Sequence, residues 1–316
     1  MTRRALPWLR LSVGVGILTV LVWRLGTDAF VDGLRLIDGA AALAALGIGL
    51  LTTVFSVCRW CLVARRLGLP LSPATAVADY YRALFLNAVL PVGVLGDAHR
   101  AVSHGRRVGD VARGVRAVVL ERAGGQVVLV VAGVAVLLLE PSLITTVAHG
   151  VLPSLGVTIS LLAGLTAVAA VTAWFTRGAT AKWRRAATAG LADVRVGLLA
   201  RNAWPGVLLL SAVVLLGHLV LFLVAARTAG SAAPAWQLLP LMLLALLVMA
   251  LPVNVGGFGP REAFSAVAFG AVGLGAELGL TTAVVYGLLT LVASLPGAAV
   301  LLFRLAADGR SRALIG

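Results

Sequence analysis

The sequence predicts an all-α polytopic membrane protein, and three observations carry that expectation. Apolar residues fill 60% of the 316 positions, only 12% are charged, and the mean hydropathy is +1.04, whereas a soluble chain carries about a quarter of its residues charged. Uninterrupted apolar stretches fall near 6–25, 39–58, 117–139, 153–176, 204–226 and 280–303, and about 20 such residues cross a bilayer as a helix. Two further apolar segments, near 74–95 and 237–275, are each broken by a Pro- and Gly-rich stretch. The expected architecture is therefore six full spans plus two broken, re-entrant helical segments. A cytosolic enzyme is excluded on composition, and nucleic acid is not an expected partner despite the basic balance.

The first span follows Thr2-Arg3-Arg4 and runs to Trp23. It looks like a signal peptide, but no small-residue cleavage site follows it, so an uncleaved helix is expected. The spans after it take their orientation from charge. The chain carries 26 basic and 12 acidic residues, a surplus of +14, and all the basic residues but Lys182 are arginine; biased genome composition accounts for that preference better than phosphate recognition does. With the amino terminus inside, 19 basic residues fall on the cytoplasmic side, among them Arg59, Arg65, Arg66, Arg106, Arg107, Arg113 and Arg116. Only Arg24, Arg35 and Arg227 face outward. Positive loops stay cytoplasmic during insertion, so a multi-pass protein of a prokaryotic cell membrane with both termini cytoplasmic is expected. Arg10, Arg82, Arg122 and Arg261 fall within membrane segments. Cys58 and Cys61 form a lone C-x-x-C without the second pair a zinc site needs, and His104, His149 and His218 have no ligand rhythm. No metal or cofactor is expected.

Each broken segment has flanks of one kind. Basic loops at 59–66 and 100–116 bracket the first, so it enters and returns from the cytoplasmic face. The second lies between the outer Arg227 and a last span ending at Arg304, so it is re-entrant from the opposite face. The two also share sequence. Leu90-Pro91-Val92-Gly93-Val94-Leu95-Gly96 matches Leu251-Pro252-Val253-Asn254-Val255-Gly256-Gly257 at five of seven positions, and Arg100 and Arg261 each follow the proline by nine residues. A shift of 161 residues also brings 39–58 near 204–226 and 117–139 onto 280–303. Two halves follow, 1–150 with its re-entrant segment near 74–100 and 151–316 with its own near 237–275. Each half crosses three times, so the second is inverted relative to the first.

Backbone that leaves helical geometry at membrane depth must be buried in protein or line a watery cavity, so the breaks mark candidate sites. Gly259-Pro260-Arg261-Glu262 reads as the start of a half-helix, with Gly at the cap and Pro in the first turn. Gly96-Asp97-Ala98-His99-Arg100 offers an Asp at the capping position and an Arg one turn on. Open amides, helix dipole and guanidinium together favour a phosphate at both places. Asp97 is a cap or a functional group. Glu262 pairs with Arg261 or the helix end, in preference to carrying a proton. Asn87, Asn254 and Tyr81 either bond a head group or satisfy broken backbone. Glu121 and Arg122, adjacent in the third span, are expected to pair with another segment, since intramembrane charge rarely stays alone.

Arg82 through Asn87, Pro91, Gly96-Asp97, Arg100, Glu121-Arg122 with Gly125, and Pro252-x-x-x-Gly256-Gly257-x-Gly259-x-Arg261-Glu262 together resemble the lysylphosphatidylglycerol synthase transmembrane family, also called flippase-like, over nearly the whole chain. The resemblance implies movement of an anionic phospholipid or polyprenyl-linked lipid between leaflets. It also implies an association with a glycosyltransferase or lipid-modifying enzyme. The synthases carry a soluble aminoacyl-transferase domain after the membrane part, whereas this chain ends at Gly316, so it is not expected to aminoacylate lipid. Leu95-Gly96 stands where the family has a Gly-Gly pair. The expected function is a non-enzymatic lipid transporter in which Arg100 and Arg261 neutralise the lipid phosphate. Asn87, Pro91, Gly96, Asp97, His99, Glu121, Arg122, Pro252, Asn254, Gly256, Gly257, Gly259 and Glu262 would form and support the groove. The alternatives are a membrane enzyme using Asp97, His99 or Glu262 as acid or base, and a non-catalytic subunit of a glycosyltransferase or envelope system.

Overall fold

The computed structural model describes residues 27–90, 93–140, 181–198, 200–249 and 259–313. The spans expected at 6–25 and 153–176 lie outside these residues, as do Pro91, Pro252, Asn254, Gly256 and Gly257. Among the described residues every regular element is an α-helix. In order they are α1 (Thr27–Leu36), α2 (Gly39–Arg66), α3 (Pro73–Val89), α4 (Leu95–Arg107), α5 (Val111–Leu139), α6 (Ala181–Gly197), α7 (Trp204–Thr228), α8 (Ala235–Met249), α9 (Pro260–Ala271) and α10 (Ala276–Ala313).

Four of them, α2, α5, α7 and α10 as far as Arg304, are long and apolar enough to cross a membrane. The protein is a helical membrane protein. Side chains that water would reject face outward: Leu43, Leu51, Val131, Leu138 and Phe303 are all exposed, which fits a hydrocarbon solvent and not an aqueous one. The core between the helices holds Phe222, Leu238, Met242, Phe269, Tyr286 and Leu289.

Local chemistry sets several helix starts. The Asp38 carboxylate accepts the Ala41 amide at 2.7 Å ahead of α2, Ser72 precedes Pro73 at the start of α3, and Asp110 accepts the Arg113 amide at 2.8 Å ahead of α5. Each satisfies an amide that has no partner within its own helix. Both flanking spans are longer than their apolar runs. The stretch expected at 39–58 continues to Arg66, and the one expected at 117–139 begins at Val111. Arg59 is thus a helical, buried residue and not part of a basic loop, because an ion pair inside the bundle compensates its charge.

The broken segments are two short helices each. In the first, α3 ends at Val89, Leu90 turns extended, and α4 resumes at Leu95. In the second, α8 ends at Met249 and α9 begins at Pro260. The order span, short, short, span occurs twice, as α2 to α5 and as α7 to α10. Adding 161 to the starts of α2, α3, α4 and α5 falls within four residues of the starts of α7, α8, α9 and α10. Packing partners repeat as well. Contacts of α3 with α4, α4 with α5 and α3 with α10 have counterparts in α8 with α9, α9 with α10 and α8 with α5, while α2 and α7 pack on each other.

Candidate functional site

The first broken segment carries a buried ionic network. Arg100 on α4 has no solvent exposure. Its Nε donates to the Asp97 carboxylate at 2.8 Å and its Nη2 to Glu121 at 2.6 Å. The guanidinium lies between two rings, 4.6 Å from the centre of Trp60 and 4.3 Å from that of Tyr80, where the aromatic quadrupoles favour a cation. Glu121 on α5, also fully buried, accepts a second arginine, Arg59 of α2, whose Nη2 lies 2.6 Å away. Arg59 reaches on to the Ser211 hydroxyl of α7 at 2.9 Å. At the other end, Arg122 donates to Asp97 at 2.8 Å and keeps 38% of its side chain exposed. Three guanidiniums close on two carboxylates, so the network holds one surplus positive charge. Arg100 Nη1 and Arg122 Nε are buried without a hydrogen-bond partner.

Asn87 explains how α4 starts. Its side-chain oxygen accepts the Gly96 amide at 2.7 Å, and its amide donates to Asp97 at 2.9 Å. Asp97 is therefore not at the capping position; Val94 is, and Asp97 is the third residue of α4. With α3 supplying the acceptor for the helix start, the carboxylate is released to pair with Arg100 and Arg122. Gly96 is a close approach: a Cβ there would fall onto the Ala83 carbonyl oxygen of α3. His99 does not join this network. Its Nδ1 lies 3.0 Å from Arg82 Nη2.

In the second broken segment α9 begins after Gly259, whose φ of +114° is a conformation that L side chains rarely adopt. Glu262 serves two groups here. One oxygen accepts the Gly259 amide at 2.6 Å, closing the helix start, and the other takes both Nε and Nη2 of Arg261. Arg261 is 1% exposed, lies 5.0 Å from the centre of the Tyr286 ring of α10 and directs Nη1 at the Met249 sulfur, 3.7 Å away.

Polar side chains of α7 and α10 lie between the two centres. His218, midway along the apolar α7, bonds the Tyr286 hydroxyl at 3.0 Å. Arg59 of the first centre bonds Ser211, also on α7, and the Tyr286 ring stands beside Arg261 of the second. Sequence reasoning missed Arg59, Trp60, Tyr80, Ser211, His218 and Tyr286. The available signals were weak: Arg59 sits two residues before Cys61 in a run that stays apolar, and His218 and Ser211 are isolated polar side chains in an otherwise apolar span.

The chain matches the family described as "Lysylphosphatidylglycerol synthase TM region" over residues 8–297. Comparisons with curated proteins and with solved structures return no match.

Proposed function

Because the chain belongs to the lysylphosphatidylglycerol synthase TM region family, we propose that it moves an anionic phospholipid or polyprenyl-linked lipid between leaflets of the cell membrane and carries out no reaction on it. The observation that carries this reading is a buried arginine at each broken segment of an otherwise apolar bundle, with the polar side chains Ser211, His218 and Tyr286 placed between the two centres. A lipid phosphate needs such a path, since charge at membrane depth is expensive unless paired. Its acyl tails stay in the bilayer.

Arg100 and Arg261 are the phosphate-binding residues in this reading, and both carry internal counter-ions at rest. Glu121 and Asp97 hold Arg100, and Glu262 holds Arg261. These carboxylates keep the arginines charged and positioned while no lipid is bound. Arg122 is the half-exposed member of the first network, so the phosphate meets it first and displaces Asp97 from it. His218 and Tyr286 then bridge towards Arg261. Re-entrant segments inserted from opposite faces supply the two ends of the path. The repeated order of helices and the reciprocal packing pairs support an inverted repeat, whose halves exchange conformations to expose the path to each leaflet in turn. Both termini lie on the cytoplasmic side.

The test is leaflet accessibility of fluorescent anionic lipids and polyprenyl-phosphate analogues in proteoliposomes, comparing wild type with Arg261→Ala and with the double change Arg100→Ala, Arg261→Ala. Translocation by the wild type, lost in both variants at equal reconstitution, is the expected result. Retained translocation in the double variant removes both arginines from the mechanism. A new lipid species would show an enzyme, and no movement of any lipid would point to a subunit of a glycosyltransferase or envelope enzyme.

A further inference from the structure

A second ionic cluster lies apart from the two arginine centres and has a different charge balance. Asp79 on α3 is fully buried. One of its oxygens accepts Arg82 Nη2 at 3.2 Å and Arg304 Nη1 at 3.0 Å, and the other accepts Arg107. Three helices, α3, α4 and α10, thus bring three guanidiniums to one carboxylate. Both oxygens are occupied and two units of positive charge remain. The network around Arg100 leaves one, and the Arg261–Glu262 pair leaves none. Among the ion-paired clusters of the described residues this one has the largest excess of positive charge.

The position of the surplus is specific. Asp79 lies within two turns of the start of α3, Arg107 ends α4, and Arg304 ends the apolar stretch of α10, so the cluster sits where hydrocarbon gives way to the aqueous boundary. Arg82 is nearly buried, whereas Arg107 and Arg304 keep 40% and 38% of their side chains exposed. Each of those two gives a single nitrogen to Asp79, which leaves the rest of its fork of donors uncommitted to that carboxylate. Arg65, Arg66 and Arg106 are exposed on neighbouring helix ends and raise the local concentration of anions.

We infer that Arg82, Arg107 and Arg304, gathered by Asp79, form a phosphate-binding site at the membrane boundary, selective for a phosphomonoester. The match is one of charge and shape. A phosphomonoester carries about −1.5 to −2 charges near neutral pH, equal to the surplus, and offers three oxygens to planar guanidinium forks. A phosphodiester carries one charge and leaves the other unpaired. Asp79 takes the role of a fixed internal anion that aligns the arginines and limits their mutual repulsion when the site is empty. The phosphate belongs to a lipid head group or to a soluble phosphate, and the chemistry of recognition is shared. This site does not rest on the transport reading, since binding here needs no movement across the bilayer.

Binding is measured by calorimetry on the full chain in phosphatidylcholine nanodiscs at about pH 7.5, where the monoester is mostly dianionic. The probes are short-chain phosphatidic acid, short-chain phosphatidylglycerol and inorganic phosphate. Phosphatidic acid is expected to bind about tenfold or more tighter than phosphatidylglycerol, and Arg107→Gln and Arg304→Gln each to weaken it about tenfold. Arg304→Lys, which keeps charge and loses the fork, gives an intermediate loss and serves where a glutamine variant fails to elute as the wild type does. Arg65→Gln, an exposed arginine outside the cluster, changes affinity less than about twofold. Inorganic phosphate binding that is lost in the same variants keeps the site and assigns its ligand to the aqueous phase. Equal binding of both lipids, weakened as much by Arg65→Gln as by Arg304→Gln, overturns the inference in favour of diffuse surface charge, and so does the absence of binding by all three probes. None of these results depends on translocation in proteoliposomes, so this site and the transport reading fail separately.

Discussion

Replacing Glu121 by glutamine preserves the shape of a side chain with no solvent exposure while removing the charge on which Arg59 and Arg100 both close, each at 2.6 Å. Breaking a buried pair by removing one partner costs about 3–5 kcal/mol, because the remaining charge stays desolvated. Two arginines lose their partner here, but neither is stripped: Arg59 keeps the Ser211 hydroxyl and Arg100 keeps Asp97. The glutamine oxygen can still accept one donor, so the expected loss is about 3 kcal/mol, at the low end of that range. That is roughly a hundredfold in the folding equilibrium. The assay is unfolding of the full chain in mixed micelles by increasing sodium dodecyl sulfate, followed by circular dichroism. A double-mutant cycle with Arg59→Gln should return a coupling of about 1–3 kcal/mol. A loss under about 1 kcal/mol, or no coupling, would mean that the charges are not held together in the membrane and that the first centre is not preorganised as described.

Gly96→Ala should lower the melting temperature by several degrees in detergent, equivalent to about 1–3 kcal/mol, because its methyl group meets the Ala83 carbonyl and forces α4 away from α3. Gly259→Ala has open space around it, so its cost of about 1–2 kcal/mol comes only from a φ of +114° that alanine tolerates poorly; a neutral result in the same melt would show that α9 does not start through this turn. The exposed pair Asp32–Arg35 on α1 provides the contrast: Asp32→Asn should change stability by less than about 1 kcal/mol, and a larger loss would contradict the solvent screening assumed for it. Arg122→Gln should slow lipid movement in proteoliposomes more than it lowers stability, since its side chain is only partly enclosed, and unchanged movement would remove Arg122 from the path.

Membrane class, the long spans and the positions of both breaks could be read in one dimension, because each rests on local composition. Twenty apolar residues need no partner to be recognised, and proline and glycine interrupt a helix wherever they fall. Arg100, Asp97, Glu121, Arg122, Arg261 and Glu262 were also visible, since charge in an apolar run stands out. Their partners were not. Arg59 looked like an orienting loop charge until α2 continued past it and set it against Glu121, 62 residues away. Asp97 looked like a helix cap until Asn87 took the amide at the start of α4. The three arginines at Asp79 lie on three helices and share no motif. Hydropathy and charge are sums over neighbours in sequence, so sequence alone determined that this chain enters a membrane and where its helices break. Compensation of charge depends on neighbours in space, so only the tertiary structure decided which arginines are neutralised by a carboxylate and which clusters keep a surplus of positive charge.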